Sequence, residues 1–235
     1  MSNPSSTDDR AAILERIREA LREPAPRHHE APARAAAPSP VTAPFREWLP
    51  PVGEAFADQL ALFAQQAAAL KAEFKECEDL EAAGSHLESL AREGGWKRVG
   101  THAGSLLQSV SKRLAKTLDV RIIEAGYDKD DLEACDAGIT ECEALIAQTG
   151  SICVTSLSSG GRALSVLPPH HVALARRGQL LPDLSAAYEF LARKYRDRYP
   201  SFVSFISGPS RTGDIERILV LGAHGPRKLT ILLVP

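Results

Sequence analysis

Apolar side chains along this chain change their spacing near residue 95. Upstream they recur every three or four positions, the helical period. Ile13, Leu14, Ile17 and Leu21 predict a short amphipathic helix over 8–22, with Ser6, Thr7 and Asp8 as candidate caps. Phe56, Leu60, Phe63, Ala67, Leu70 and Phe74 step by four and three, lining one face of a helix over 53–76. Leu80, Leu87 and Leu90 mark another helix over 79–93, closed by Gly94 and Gly95.

Downstream, short β-rich runs alternate with helical stretches. Strands are predicted at Trp96–Val99, Val120–Ile123, Ser151–Thr155, His171–Leu174, Phe202–Ile206, Ile218–Leu221 and Leu229–Val234. Helices are predicted over Gly104–Leu118, Glu141–Ala147 and 184–196, with an acidic loop at Asp128–Asp131. That order predicts an α/β fold, an open sheet with helices on both faces and an N-terminal helical extension. Residues 23–52 hold eight prolines among alanines and charges, the composition of an extended linker. The expected plan is a helix at 1–22, a linker at 23–52 and an α/β domain at 53–235, its first helices filling 53–93.

Composition narrows the classes. The chain has 235 residues, 44% apolar and 25% charged, with a net charge of −2. That balance offers no electrostatic case for nucleic acid or an anionic membrane. No apolar run approaches the roughly twenty residues of a membrane helix. The N-terminus lacks the basic and apolar regions of a secretion signal, so a cytoplasmic location is expected. Cys77, Cys135, Cys142 and Cys153 are scattered without a CxxC pair, so no metal or cluster is expected in this chain. They read as free thiols that pack like small apolar groups. The adjacent His170 and His171 sit on a predicted strand, where neighbouring side chains point to opposite faces and cannot easily share an ion.

The C-terminal region carries the candidate chemistry. One predicted strand runs into Gly208-Pro209-Ser210-Arg211-Thr212 and then Asp214, the next into Gly222-Ala223-His224-Gly225-Pro226. Loops of this type present backbone N–H groups to a small anion, and a helix starting near Thr212 would add its positive end. Arg211 has the planar fork that binds carboxylate or phosphate, and His224 could donate to a substrate oxygen or shuttle a proton. Ser210 or Thr212 could equally serve as a helix cap, and His224 as a loop-bonding residue. Upstream, Thr149 and Gly150 form a connection, read as helix to strand, where Thr149 could touch a ligand. Both C-terminal loops follow strand ends, and open α/β sheets bind ligands at strand carboxyl ends.

These residues also carry a resemblance. The paired Gly208–Glu216 and Gly222–Pro226 segments, with Gly138-Ile139-Thr140, Ala144–Ser151 and Leu167–Val172, resemble the lactate-utilization (LUD) family over about 90–235. The resemblance implies the NagB/RpiA/CoA-transferase-like version of the open sheet. It implies a cytoplasmic system oxidising L-lactate to pyruvate, with iron–sulfur clusters in partner subunits. Cluster-binding members carry extra C-terminal cysteine motifs; this chain ends at Pro235 without them and so resembles the cluster-free kind. His224, Gly225 and Pro226 belong to the family signature. Related members commonly have an acidic residue where Gln148 stands, and glutamine cannot act as a carboxylate nucleophile. Two other readings stay open: a stand-alone enzyme or binding module for a sugar phosphate, acyl-CoA or folate, and a structural scaffold subunit.

Overall fold

The computed structural model describes residues 6–22, 49–123, 128–213, 219–221 and 224–235. The chain divides into two units, Met1–Trp48 and Leu49–Pro235. In the first, α1 (Ser6–Arg22) is a helix whose Ile13, Leu14 and Ile17 are all exposed. The predicted linker lies outside the described residues up to Trp48, and its last four residues belong to the second unit.

The second unit begins with α2 (Phe56–Ala69), β1 (Glu73–Glu76), α3 (Leu80–Gly94) and β2 (Arg98–Thr101). It continues with α4 (Leu107–Leu114), β3 (Asp119–Ile122), α5 (Lys129–Glu133) and β4 (Ala137–Glu141). A hairpin of β5 (Ala144–Ile146) and β6 (Ser151–Thr155) precedes β7 (His170–Arg176), β8 (Leu180–Leu181) and α6 (Leu184–Lys194). The chain closes with β9 (Val203–Ile206), β10 (Arg211–Gly213), β11 (Leu219–Leu221) and β12 (Lys228–Val234).

Six strands form a wholly parallel sheet in the order β1-β12-β7-β4-β2-β3. Parallel strands are covered on both faces, which is why β7 and β12 read as nearly unbroken apolar runs. On one face Val99, Ile139, Val172, Leu174, Leu232 and Val234 pack against Ala83 and Leu87 of α3 and Leu107 and Val110 of α4. On the other, Ala173, Ala175, Ile231 and Leu233 meet Leu60, Phe63 and Ala67 of α2 and a second sheet. That sheet, ordered β8-β5-β6-β9, turns Leu145, Ile152 and Val154 inward. Its outer side, Ala144, Ile146 and Cys153, is covered by Ala187 and Leu191 of α6. The expected open α/β sheet with helices on both faces is therefore present, with a small mixed sheet stacked on one side.

Three predicted elements differ. The helix predicted over 53–76 stops at Ala69, and residues 73–76 become the edge strand β1. Lys71 adopts φ 67°, and the Ala72 and Lys71 N–H groups bond back to the Ala67 and Ala68 carbonyls, a Schellman close. Phe74 still packs on Phe63, ring centroids 5.1 Å apart, so the apparent helical step is met from a strand. The helix predicted over 141–147 is instead the end of β4 followed by β5. Residues 144–146 are all buried, and a short apolar run between two covered faces has no period to separate strand from helix. The acidic loop at 128–131 winds into α5, capped by Asp128.

Candidate functional site at the C-terminal loops

Strand β9 leaves the small sheet through Ser207, whose hydroxyl lies 2.6 Å from that of Ser151 at the start of β6. Gly208 follows at φ 83°, and a Cβ there would stand 2.5 Å from the Leu70 carbonyl oxygen. Glycine is needed for both reasons, positive φ and close backbone approach. Gly150, at φ 64° in the β5–β6 turn, packs in the same way over Gln66 and Ala67. The two glycine turns thus seat on the last turn of α2.

Ser210 then donates its N–H to the Pro226 carbonyl at 2.8 Å, and Arg227 donates to the Pro169 carbonyl at 2.8 Å. The two predicted loops are tied to each other and to the start of β7. Ser210, Gly225 and Pro226 are half-buried, while Arg211 and His224 are exposed. Thr149 adds a buried hydroxyl oxygen with no hydrogen-bond partner among the described residues, an arrangement that folded proteins seldom leave unfilled.

Several expectations are corrected here. No helix starts at Thr212, which pairs through its backbone with Val220 in the β10–β11 hairpin. The helix-end contribution to anion binding is therefore absent at that residue. Thr149 and Gly150 connect two strands, not a helix and a strand. The Gly222–Pro226 loop runs into β12, and the Arg227 N–H after it bonds Pro169 just ahead of β7, so the tied pair of loops lies by the amino ends of these parallel strands, opposite the end expected. Gly208 is buried against Leu70 at the end of α2. Asp214 lies outside the described residues, as does the side chain of Thr212.

The remaining polar residues have structural partners. Gln148 donates its side-chain amide to the Pro50 carbonyl at 3.0 Å, pinning the segment before α2. Arg162 donates to the Ser201 carbonyl at 2.9 Å. His170 and His171 point to opposite faces, as the strand period requires. His170 bonds the Thr230 hydroxyl at 2.9 Å and meets Trp96 edge-on, while His171 bonds the Thr140 hydroxyl at 2.9 Å. Burial, with Lys228 nearby, pushes His170 down to about 4; burial, with His170 nearby, pushes His171 down to about 3.

One polar cluster escaped the sequence pattern. Glu143, 2% exposed, accepts from Thr155 at 2.8 Å, Tyr195 at 2.5 Å and Lys194 at 2.5 Å. Burial pushes its carboxyl up, but the Lys194, Tyr195 and Thr155 hydrogen bonds outweigh that and hold it below the usual range. The signal was a glutamate at the start of an apolar run; Thr155 lies 12 residues downstream, but Lys194 and Tyr195 lie 51 and 52.

A buried parallel sheet with a small sheet stacked on it, and two glycine–proline loops tied to each other, defines an α/β protein of mostly parallel architecture. The chain belongs to the LUD domain family, whose profile matches residues 60–234. A relative named lactate utilization protein C from Anoxybacillus flavithermus is 28% identical over 178 residues, 74% of this chain and 80% of that one. One of the same name from Deinococcus radiodurans is 34% identical over 118 residues, 50% of this chain and 55% of that one. Further relatives of that name align over 43% to 52% of their own length. The crystal structure of a DUF162 family protein from Deinococcus radiodurans shares the fold. Its TM-score is 0.59 at 23% identity, over 78% of this chain and 100% of that one.

Proposed function

We propose that this chain is the cluster-free subunit of a cytoplasmic system that oxidises L-lactate to pyruvate, and that its paired C-terminal loops bind a small anion there. Lactate loses two electrons and two protons; the electrons pass to partner subunits that carry iron–sulfur clusters. Relatives named lactate utilization protein C support the pathway. The single observation that carries the loop site is the Ser210–Pro226 hydrogen bond, which joins the two signature loops. Exposed Arg211 supplies a carboxylate-binding fork, exposed His224 an imidazole, and the orphaned Thr149 hydroxyl a donor.

The test is growth on L-lactate, with lactate oxidation, in cells deleted for the gene and complemented at matched expression. Wild type should restore both. Arg211→Ala and His224→Ala should join the partner subunits, judged by co-purification, yet restore lactate oxidation at least tenfold less well. Full rescue by both variants would make the loops dispensable and the subunit a scaffold. A deletion without effect on lactate use would remove the pathway assignment itself.

A further inference from the structure

The carboxyl ends of the parallel strands, opposite the C-terminal loops, carry a second feature. Strand β2 connects through α4 to β3 on one side, whereas β4 connects towards β7 on the other. The β2–β4 boundary is thus the topological switch point of the sheet, where open α/β sheets leave a crevice for ligands. Beside it, on the β3 side, a cavity of about 600 Å³ runs from the loop after β2 along α4 and β3, bordered by Gly104, Ser105, Lys112, Ala115, Val120 and Ile122. Its size falls within the range of small-molecule sites.

Its floor is rigid. His102, 6% exposed, accepts the Glu141 N–H at Nε2 (3.2 Å), joining the end of β2 to the end of β4. The Glu141 carboxylate in turn accepts the Leu106 N–H at 2.6 Å, at the start of α4. Gly104 passes so near this carboxylate that a Cβ would stand 2.8 Å from its Cδ. Glu141 therefore already occupies the positive end of α4, and a ligand's charge must be met elsewhere. The exposed ammonium of Lys112, at the rim, is placed to meet it. The walls are mainly apolar. Ile122 stands 60% exposed on the edge strand, a large aliphatic group left in water at the mouth of a cavity.

We propose that this cavity binds an organic anion with an apolar body, its charged head on Lys112 and its body against Ala115, Val120 and Ile122. A nucleoside monophosphate and an acyl carboxylate share that chemistry. The site is separate from the loop site and does not depend on the lactate assignment.

The probe is 8-anilinonaphthalene-1-sulfonate, an aromatic sulfonate that fluoresces when its body leaves water, titrated into the full chain. One saturable site is expected. Ala115→Trp, which fills the cavity from an exposed position, should abolish it, and Lys112→Glu should weaken it at least tenfold. Lys75→Glu on β1, a charge-matched control at the opposite edge of the sheet, should leave it unchanged. Displacement by AMP alone would identify a nucleotide; displacement by octanoate alone would identify an acyl carboxylate; displacement by both would support the shared chemistry. Absence of a saturable site would overturn the proposal, as would equal affinity in Ala115→Trp and Lys112→Glu. So would failure of both competitors at millimolar concentration. Should Ala115→Trp misfold by circular dichroism, Lys112→Glu and the competition decide.

Discussion

Gly208 and Glu143 show how much a single position can depend on its surroundings. Gly208 is held at φ 83° against a backbone carbonyl that cannot move aside. Gly208→Ala should destabilise the protein by about 1–3 kcal/mol, the usual range for a strained backbone position, read as a lower urea midpoint at unchanged m-value. Glu143 is the shared acceptor of three donors. Glu143→Leu removes the acceptor shared by Thr155, Tyr195 and Lys194 and should cost about 2–4 kcal/mol; Glu143→Gln keeps an acceptor and should cost about 1 kcal/mol. Equal losses in the two variants would show that packing, not hydrogen bonding, holds this corner. The glycine's need for positive φ was legible from its place between a strand and a proline. The glutamate's role was not, because nothing near it in the chain names Lys194 or Tyr195.

At the scale of elements, the helix boundaries set by local chemistry were readable and those set by partners were not. Asp79 caps α3 through the Ala82 N–H at 2.7 Å, and Gly95 closes it at φ 62°. Both sit where capping rules place them. Asp79→Ala should lower stability by about 1 kcal/mol, measured by thermal unfolding of the full chain. The end of α2 was misread because its Schellman close uses a lysine where glycine is usual. Lys71→Gly should therefore raise stability by about 0.5–1 kcal/mol, since only glycine takes that left-handed position without strain. A decrease would mean that the lysine side chain contributes more than the backbone loses. Strand β1 exists because β12 offers an unpaired edge at Thr230–Leu233, about 157 residues away. No window of local sequence contains that edge.

Across the whole molecule, the two buried histidines couple folding to pH. Their folded pKa values, about 4 for His170 and about 3 for His171, lie below the ordinary 6.5. Between pH 6.5 and 4 the unfolded chain takes up protons that the folded chain refuses, so stability falls as pH falls. Each histidine contributes up to about 1.4 kcal/mol per pH unit in that window. Urea unfolding at pH 7.5, 6 and 5 should show this slope, and His171→Gln should reduce it; an unchanged slope would assign it to other groups. The alternation of Val172, Leu174, Leu232 and Val234 with Ala173, Ala175, Ile231 and Leu233 was present in the sequence, and so was the α/β class, because covered parallel strands must be apolar on both faces. The paired Gly208 and Gly225 loops were likewise legible, since turns demand glycine and proline locally. Strand order was not, and with it went the end of the sheet at which those loops lie and the place of the cavity between α4 and β3. Parallel pairing joins residues far apart in the chain through backbone groups that every residue shares, so only the folded packing of α2, the small sheet and the N-terminal edge strand could decide it.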